Sequence, residues 1–131
     1  MATRHQARQA VVSLLYAYEM GNTDDAFIDE FLEEKKIRNE RKESVIKSFR
    51  EILATKDKLD EQILQYLKDG DLDKVGIVER NILRLGFYEI NEAQTDIAVV
   101  INEAVELAKE LTSDTSPRFI NGVLGALKEK K

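Results

Sequence analysis

The stretch that decides the fold lies between residues 74 and 111, where the sequence reads KVGIVERNILRLGFYEINEAQTDIAVVINEAVELAKEL. Residues 97–111 place apolar side chains three and four positions apart and charged side chains on the opposite face, which is the pattern of an amphipathic helix. Residues 74–91 are apolar on more than one face, which indicates a central helix. Because Gly86 costs this helix up to about 1 kcal/mol relative to alanine, we expect a close helix crossing there.

The same helical periodicity continues toward the N-terminus. Residues 4–20 predict a first helix, which Gly21 ends. A short second helix follows, capped by Thr23 or Asp24 and ending near Lys36.

Residues 39–69 contain neither Gly nor Pro and predict one helix, ended by Gly70. At 1.5 Å per residue this helix would be about 45 Å long. Lys56 interrupts its apolar stripe, so we expect the helix to straddle two packing regions.

A last helix is predicted after the polar loop at residues 112–115. Ser116 is a favourable N-cap and Pro117 suits the first helical position. Six helices with short connections, and no competing strand pattern, predict an all-α domain.

The composition is that of one folded domain. The chain has 131 residues, 43% hydrophobic and 34% charged, so we expect a single domain over residues 1–131. The absence of Cys excludes disulfides and cysteine-based metal or catalytic sites. The longest apolar run, Ile97–Ile101, is far shorter than the roughly 20 residues of a membrane span, and no secretory pattern begins the chain. We therefore expect a cytoplasmic protein without a membrane partner.

Charge is distributed unevenly along the chain. The formal net charge of −5 alone disfavours a nucleic-acid partner, because binding requires cations against phosphates. Residues 35–58, however, hold nine Lys and Arg against four Asp and Glu, and both ends of the chain are basic. Folding can bring such segments together into a basic face. By itself, the surplus at residues 35–58 is most simply a solvated helix face.

Few residues are suited to catalysis or metal binding. His5 is the only imidazole, and no spacing of carboxylates singles out an acid–base pair. Residues 69–80 begin like an EF-hand loop but lack the Gly and Glu at its sixth and twelfth positions. A polar turn in which Asp71 or Asp73 caps the next helix is the better interpretation. We expect neither an enzyme nor a cofactor.

One face of the first helix is a candidate for binding nucleic acid. Arg4 and Arg8 are one turn apart and project to the same side, and Tyr16 lies two turns beyond. Guanidinium groups bind phosphates bidentately, and an aromatic ring can stack on a base. Solvated arginines and a tyrosine at the edge of the core explain the same spacing, so the spacing leaves both interpretations open.

Several stretches resemble the NusB family of bacterial transcription antitermination factors. They are ARQA at residues 7–10, ILRLGFYEI at 82–90, INEAVELAK at 101–109 and RFINGVL at 118–124. The resemblance covers essentially the whole chain, although residues 21–70 match in helical pattern rather than by motif.

This resemblance implies an all-α fold of about six or seven helices in two small helical subdomains. It implies binding of the boxA element of leader RNA together with NusE, the small-subunit ribosomal protein. The complex would join elongating RNA polymerase and suppress premature termination, chiefly in ribosomal RNA operons, without catalysis.

The resemblance also implies site residues. Those that correspond to its RNA contacts are Arg4, His5, Arg8, Tyr16 and Arg118. The partner surface would include the helix at residues 74–91, where the Glu79 carboxylate is the candidate contact for a basic ribosomal protein.

One departure from the family pattern bears on affinity. Where the family motif can hold consecutive arginines, this chain has His5 and Gln6 between Arg4 and Arg8. We therefore expect weak RNA binding by the chain alone and a greater dependence on NusE. Two other functions stay open: a protein adapter that never touches RNA, and a fragment of a ribosomal RNA methyltransferase that carries the same helical domain.

Overall fold

The computed structural model of the chain describes residues 2–22, 24–68, 70–113 and 115–130. Within these ranges the chain forms seven α-helices and one 3-10 helix, and no strand, which confirms the all-α prediction. The helices are α1 (Arg4–Glu19), α2 (Asp25–Glu34), α3 (Asn39–Ala54), α4 (Lys56–Leu64), the 3-10 helix (Leu72–Lys74), α5 (Ile77–Asn91), α6 (Ile97–Leu111) and α7 (Ser116–Lys130).

The helices belong to two compact units, Met1–Ala54 and Thr55–Lys131. The first unit contains α1 to α3 and the second α4 to α7. Two small helical subdomains are what the family resemblance implies.

In the first unit, α1 packs against α3. Ion pairs connect α2 to α3, with Arg50 3.1 Å from Asp25 and Lys42 3.2 Å from Asp29. The buried apolar side chains of the three helices are Ala10, Val11, Val12, Leu14, Leu15, Ile28, Leu32, Val45, Phe49 and Ile52.

The ends of the first helices follow the sequence predictions. Gly21 adopts a φ of 86°, and its backbone N–H donates to the Tyr18 carbonyl at 3.0 Å. This left-handed conformation favours glycine and ends α1. At the start of α2, an Asp24 carboxylate oxygen accepts from the Phe27 backbone N–H at 2.8 Å. The alternative cap, Thr23, lies outside the described residues.

The prediction of a single helix over residues 39–69 is wrong. It is two helices, α3 and α4, separated at Thr55, whose φ of −111° and ψ of 16° are not helical. The physical reason is a change of packing partner, because α3 packs against α1 of the first unit and α4 against α5 of the second. Gly70 does not end α4, which stops at Leu64, and Asp69 lies outside the described residues.

The turn before α5 has the predicted polar character. An Asp71 carboxylate oxygen accepts from the Asp73 backbone N–H at 3.0 Å and caps the 3-10 helix. The prediction that a helix runs from residue 74 is therefore corrected at its start, since α5 begins at Ile77.

Helix α5 is the centre of the second unit, as predicted. Every residue from Asn81 to Ile90 is buried, and α5 packs against α4, α6 and α7. A β-carbon at Gly86 would lie 3.3 Å from Leu124 of α7 and 3.5 Å from Val100 of α6. Gly86 is thus the expected crossing point.

A buried ion pair connects α4 to α5. The Arg84 guanidinium, whose side chain is 4% exposed, donates from Nε to Asp60 Oδ1 at 2.7 Å and from Nη2 to Asp60 Oδ2 at 3.0 Å. Arg84 Nη1 also donates to Asn81 Oδ1 at 2.9 Å. Both carboxylate oxygens therefore meet one planar donor, a geometry that compensates for desolvation of the charge.

Candidate nucleic-acid interface

Reciprocal hydrogen bonds fix the first turn of α1. The Gln6 backbone N–H donates to Thr3 Oγ1 at 3.0 Å, and the Thr3 backbone N–H donates to Gln6 Oε1 at 2.8 Å. This capping box satisfies two backbone donors that a helix start would otherwise leave unpaired. The turn that carries Arg4 and His5 is therefore ordered by its own side chains.

The three N-terminal candidates lie on that helix in different environments. Arg4 is exposed, whereas His5 and Arg8 are half-buried. His5 and Arg8 also interact with other residues of the chain, so their side chains are partly engaged. Since α1 begins at Arg4 and is continuous, Arg4 and Arg8 share one side, as predicted. Arg4 is the most accessible cation of the three.

Tyr16 lies further along the same helix. It is eight residues beyond Arg8, about 12 Å at 1.5 Å per residue. Tyr16 is 41% exposed, so this residue is accessible to a ligand, and an aromatic ring can stack on a base. Tyr18 is similarly exposed at 45%.

Arg118 belongs to the second unit, in the first turn of α7. It is exposed and lines a cleft of about 740 Å³ with Lys68, Lys74 and Phe119. Phe119 is 37% exposed, so an aromatic side chain is accessible beside these cations. Phe119 is therefore a further candidate that the sequence analysis does not include, although an aromatic residue directly after an arginine is a usable signal. Cations around an exposed ring are the chemistry of single-strand binding.

Glu79 lines the same cleft but has a structural partner. It is half-buried in the first turn of α5, and its Oε2 accepts from the Ser116 hydroxyl at 2.7 Å. Ser116 is the first residue of α7, so this bond connects the N-terminal turns of α5 and α7. The sequence predicts Ser116 as the N-cap of the last helix. In the structure, the Ser116 hydroxyl donates to Glu79. Oε1 of the carboxylate lies over Gly76, where a β-carbon would clash with it.

The described residues show neither a metal site nor a membrane span. No group of three or more His, Cys, Asp or Glu among them is arranged to hold a metal ion. No helix in these ranges combines the length and apolarity needed to cross a membrane.

Comparison with known proteins shows matches to one family along nearly the whole chain. The model of the NusB family matches residues 5–129. The transcription antitermination protein NusB of Campylobacter concisus (strain 13826) is 62% identical over 128 residues, which cover 98% of each chain.

Solved structures give the same result. NusB of T. maritima superposes with a TM-score of 0.85 at 30% identity, covering 98% of this chain and 92% of that one. The antitermination factors NusB and NusE have been crystallised in complex with double-stranded RNA, and the matching chain there has a TM-score of 0.85 at 29% identity, covering 98% of this chain and 97% of its own. The chain belongs to the NusB family.

Proposed function

We propose that the protein is a transcription antitermination factor that binds boxA RNA together with NusE and acts on elongating RNA polymerase in ribosomal RNA operons. The observation that carries this proposal is the full-length match to a protein named for transcription antitermination. Support comes from the fold, which is that of a NusB crystallised with NusE and RNA.

The proposed RNA contacts begin at the first turn of α1. Arg4 is exposed on a capped helix start, Arg8 follows on the same side, and Tyr16 presents an accessible ring. His5 and, in the second unit, Arg118 complete the proposed set. The cations would hold phosphates, and the ring would stack on an unpaired base.

The proposed NusE contact includes Glu79. Its Oε2 accepts from Ser116 and its Oε1 lies over Gly76, but the half-buried carboxylate lines the open cleft, from which a cation of a basic ribosomal protein would reach it. In this proposal residues 1–131 act as one RNA-binding domain in the cytoplasm, without catalysis and without a cofactor.

Fluorescence anisotropy with labelled boxA RNA tests the function. We expect NusE to raise RNA affinity by about 5- to 150-fold, a typical coupling, and boxA RNA to tighten the NusE complex by the same factor. A scrambled RNA of equal length is the control and should show no coupling. NusE binding without RNA binding would make the protein an adapter, and absence of NusE binding would contradict the proposed function.

A further inference from the structure

The first unit contains a basic cleft that the predicted site residues do not include. It has a volume of about 740 Å³ and lies where α2 ends and α3 begins. Its charged wall residues, among those that the structure describes, are Lys36, Arg38, Arg41 and Glu40. With three cations against one carboxylate, the cleft, here called the α2–α3 cleft, has the charge of an anion-binding surface.

The backbone at the end of α2 places these cations. The Lys36 N–H donates to the Glu33 carbonyl at 3.0 Å, and the Ile37 N–H donates to the Leu32 carbonyl at 2.9 Å. These two bonds form a Schellman motif, with Lys36 at a φ of 59° where glycine is usual. Ile37 is 1% exposed and anchors the turn. The adjacent cations are therefore carried by an ordered turn at the end of α2.

Two of the three cations are available to a ligand. Within the described ranges of the chain, neither Lys36 nor Arg41 has an ion-pair partner. Arg38 is bound by Glu33, with Nη2 2.6 Å from Oε1 and Nε 3.3 Å from Oε2. Both partners are more than half exposed, and such surface pairs are weak enough to exchange for another anion.

The cleft adjoins the start of α1. Ala2 lies in its wall, and Arg4 begins α1 two residues later, at most about 7 Å along the chain. The other wall residues, Asn39 and Ser44, are small and polar. Of the described wall residues Ala2 alone is apolar, and the three cations favour an anionic ligand.

We propose that the α2–α3 cleft binds backbone phosphates of the same RNA strand that contacts Arg4, and so extends the RNA path beyond α1. The proposal rests on the proposed RNA-binding function and deepens it. Guanidinium and ammonium groups at Arg41, Arg38 and Lys36 hold phosphates without reading sequence. They supply cations to a chain in which His5 and Gln6 separate the two N-terminal arginines.

The test compares two double variants that remove the same net charge. Lys36→Asn with Arg41→Gln removes the two available cations, and asparagine tolerates the left-handed backbone at residue 36. Lys47→Gln with Lys58→Gln removes two exposed lysines that do not line the cleft. The dissociation constant for boxA RNA with several flanking nucleotides is measured with NusE at several salt concentrations, and circular dichroism checks the fold.

The cleft variant should lower the slope of log K against log salt by about 0.7 for each phosphate of a single strand that it no longer neutralises. If affinities converge near 1 M salt, this corresponds to roughly 5-fold weaker binding at 0.1 M for one phosphate and 25-fold for two. The control variant should keep the wild-type slope. Glu33→Gln, which releases Arg38, should tighten binding.

Each other outcome overturns the proposal in a different way. If wild type binds boxA RNA and the cleft variant matches the control, the cleft inference fails and the proposed function stands. If the cleft variant loses NusE but retains RNA, the cleft binds a protein instead. If wild type binds no boxA RNA even with NusE, the proposed function fails and the inference fails with it.

Discussion

Removal of the Asp60 carboxylate should destabilise the protein strongly. In the Asp60→Ala variant, the buried Arg84 guanidinium loses both carboxylate acceptors and keeps Asn81 Oδ1. Breaking a buried ion pair from one side typically costs about 3 to 5 kcal/mol, because an uncompensated charge remains inside. We expect about 3 kcal/mol, the low end of that range, since Asn81 still accepts a bond and the Asp60 side chain is 17% exposed.

The control is the double variant Asp60→Ala with Arg84→Met, which removes both charges. Its cost should be clearly smaller, because an apolar side chain of similar length replaces the guanidinium without stranding a charge. Asp25→Ala, which removes an 88% exposed partner of Arg50, should cost less than about 1 kcal/mol. Urea unfolding followed by circular dichroism gives the three free energies. The reasoning is refuted if the single variant Asp60→Ala is no less stable than the double variant.

Three further outcomes are expected. Arg4→Ala combined with Arg8→Ala should lower the salt slope of boxA RNA binding by up to about 1.4, two single-strand phosphates, in titrations at several salt concentrations, and an unchanged slope would remove both residues from the site. Gly86→Leu should overpack the contact with Leu124 and lower stability by about 1 to 3 kcal/mol or more in thermal melts, whereas a steady melting temperature would contradict the close crossing. Lys36→Gly should raise the free energy of unfolding by roughly 0.5 to 1 kcal/mol in urea titrations, because glycine adopts the left-handed φ of 59° without steric cost, and a decrease would contradict that account.

Sequence periodicity predicted individual helices well where one packing partner serves the whole helix. Residues 97–111 form α6 over the predicted range, and α1 ends at Gly21 as expected. The same reasoning failed at Thr55, because the stripes of α3 and α4 are each regular but belong to different units. No Gly or Pro marks that break, and the one local signal is Lys56, which interrupts the apolar stripe directly after Thr55.

The candidate site was predictable in part. Helical spacing correctly placed Arg4 and Arg8 on one side of α1, but it could not show that Arg8 is half-buried and engaged. The sequence shows the basic surplus at residues 35–58, for which a solvated helix face is the simplest interpretation. The α2–α3 cleft within this segment depends on a Schellman motif that has Lys36 where glycine is usual. Because lysine seldom adopts a left-handed backbone, the sequence gives no signal for this motif.

The capping box at Thr3 and Gln6 has a consequence for the balance of charge and order at this N-terminus. Gln6 occupies a position where the family motif can hold an arginine, yet its amide oxygen accepts the Thr3 backbone N–H. A Gln6→Arg substitution would add a cation but remove the acceptor of the Thr3 backbone N–H, so one of the two bonds that order the turn presenting Arg4 would be lost. Gln6 thus contributes preorganisation where an arginine would contribute charge: the entropy of ordering the recognition turn is lost when the protein folds and not again when a ligand binds.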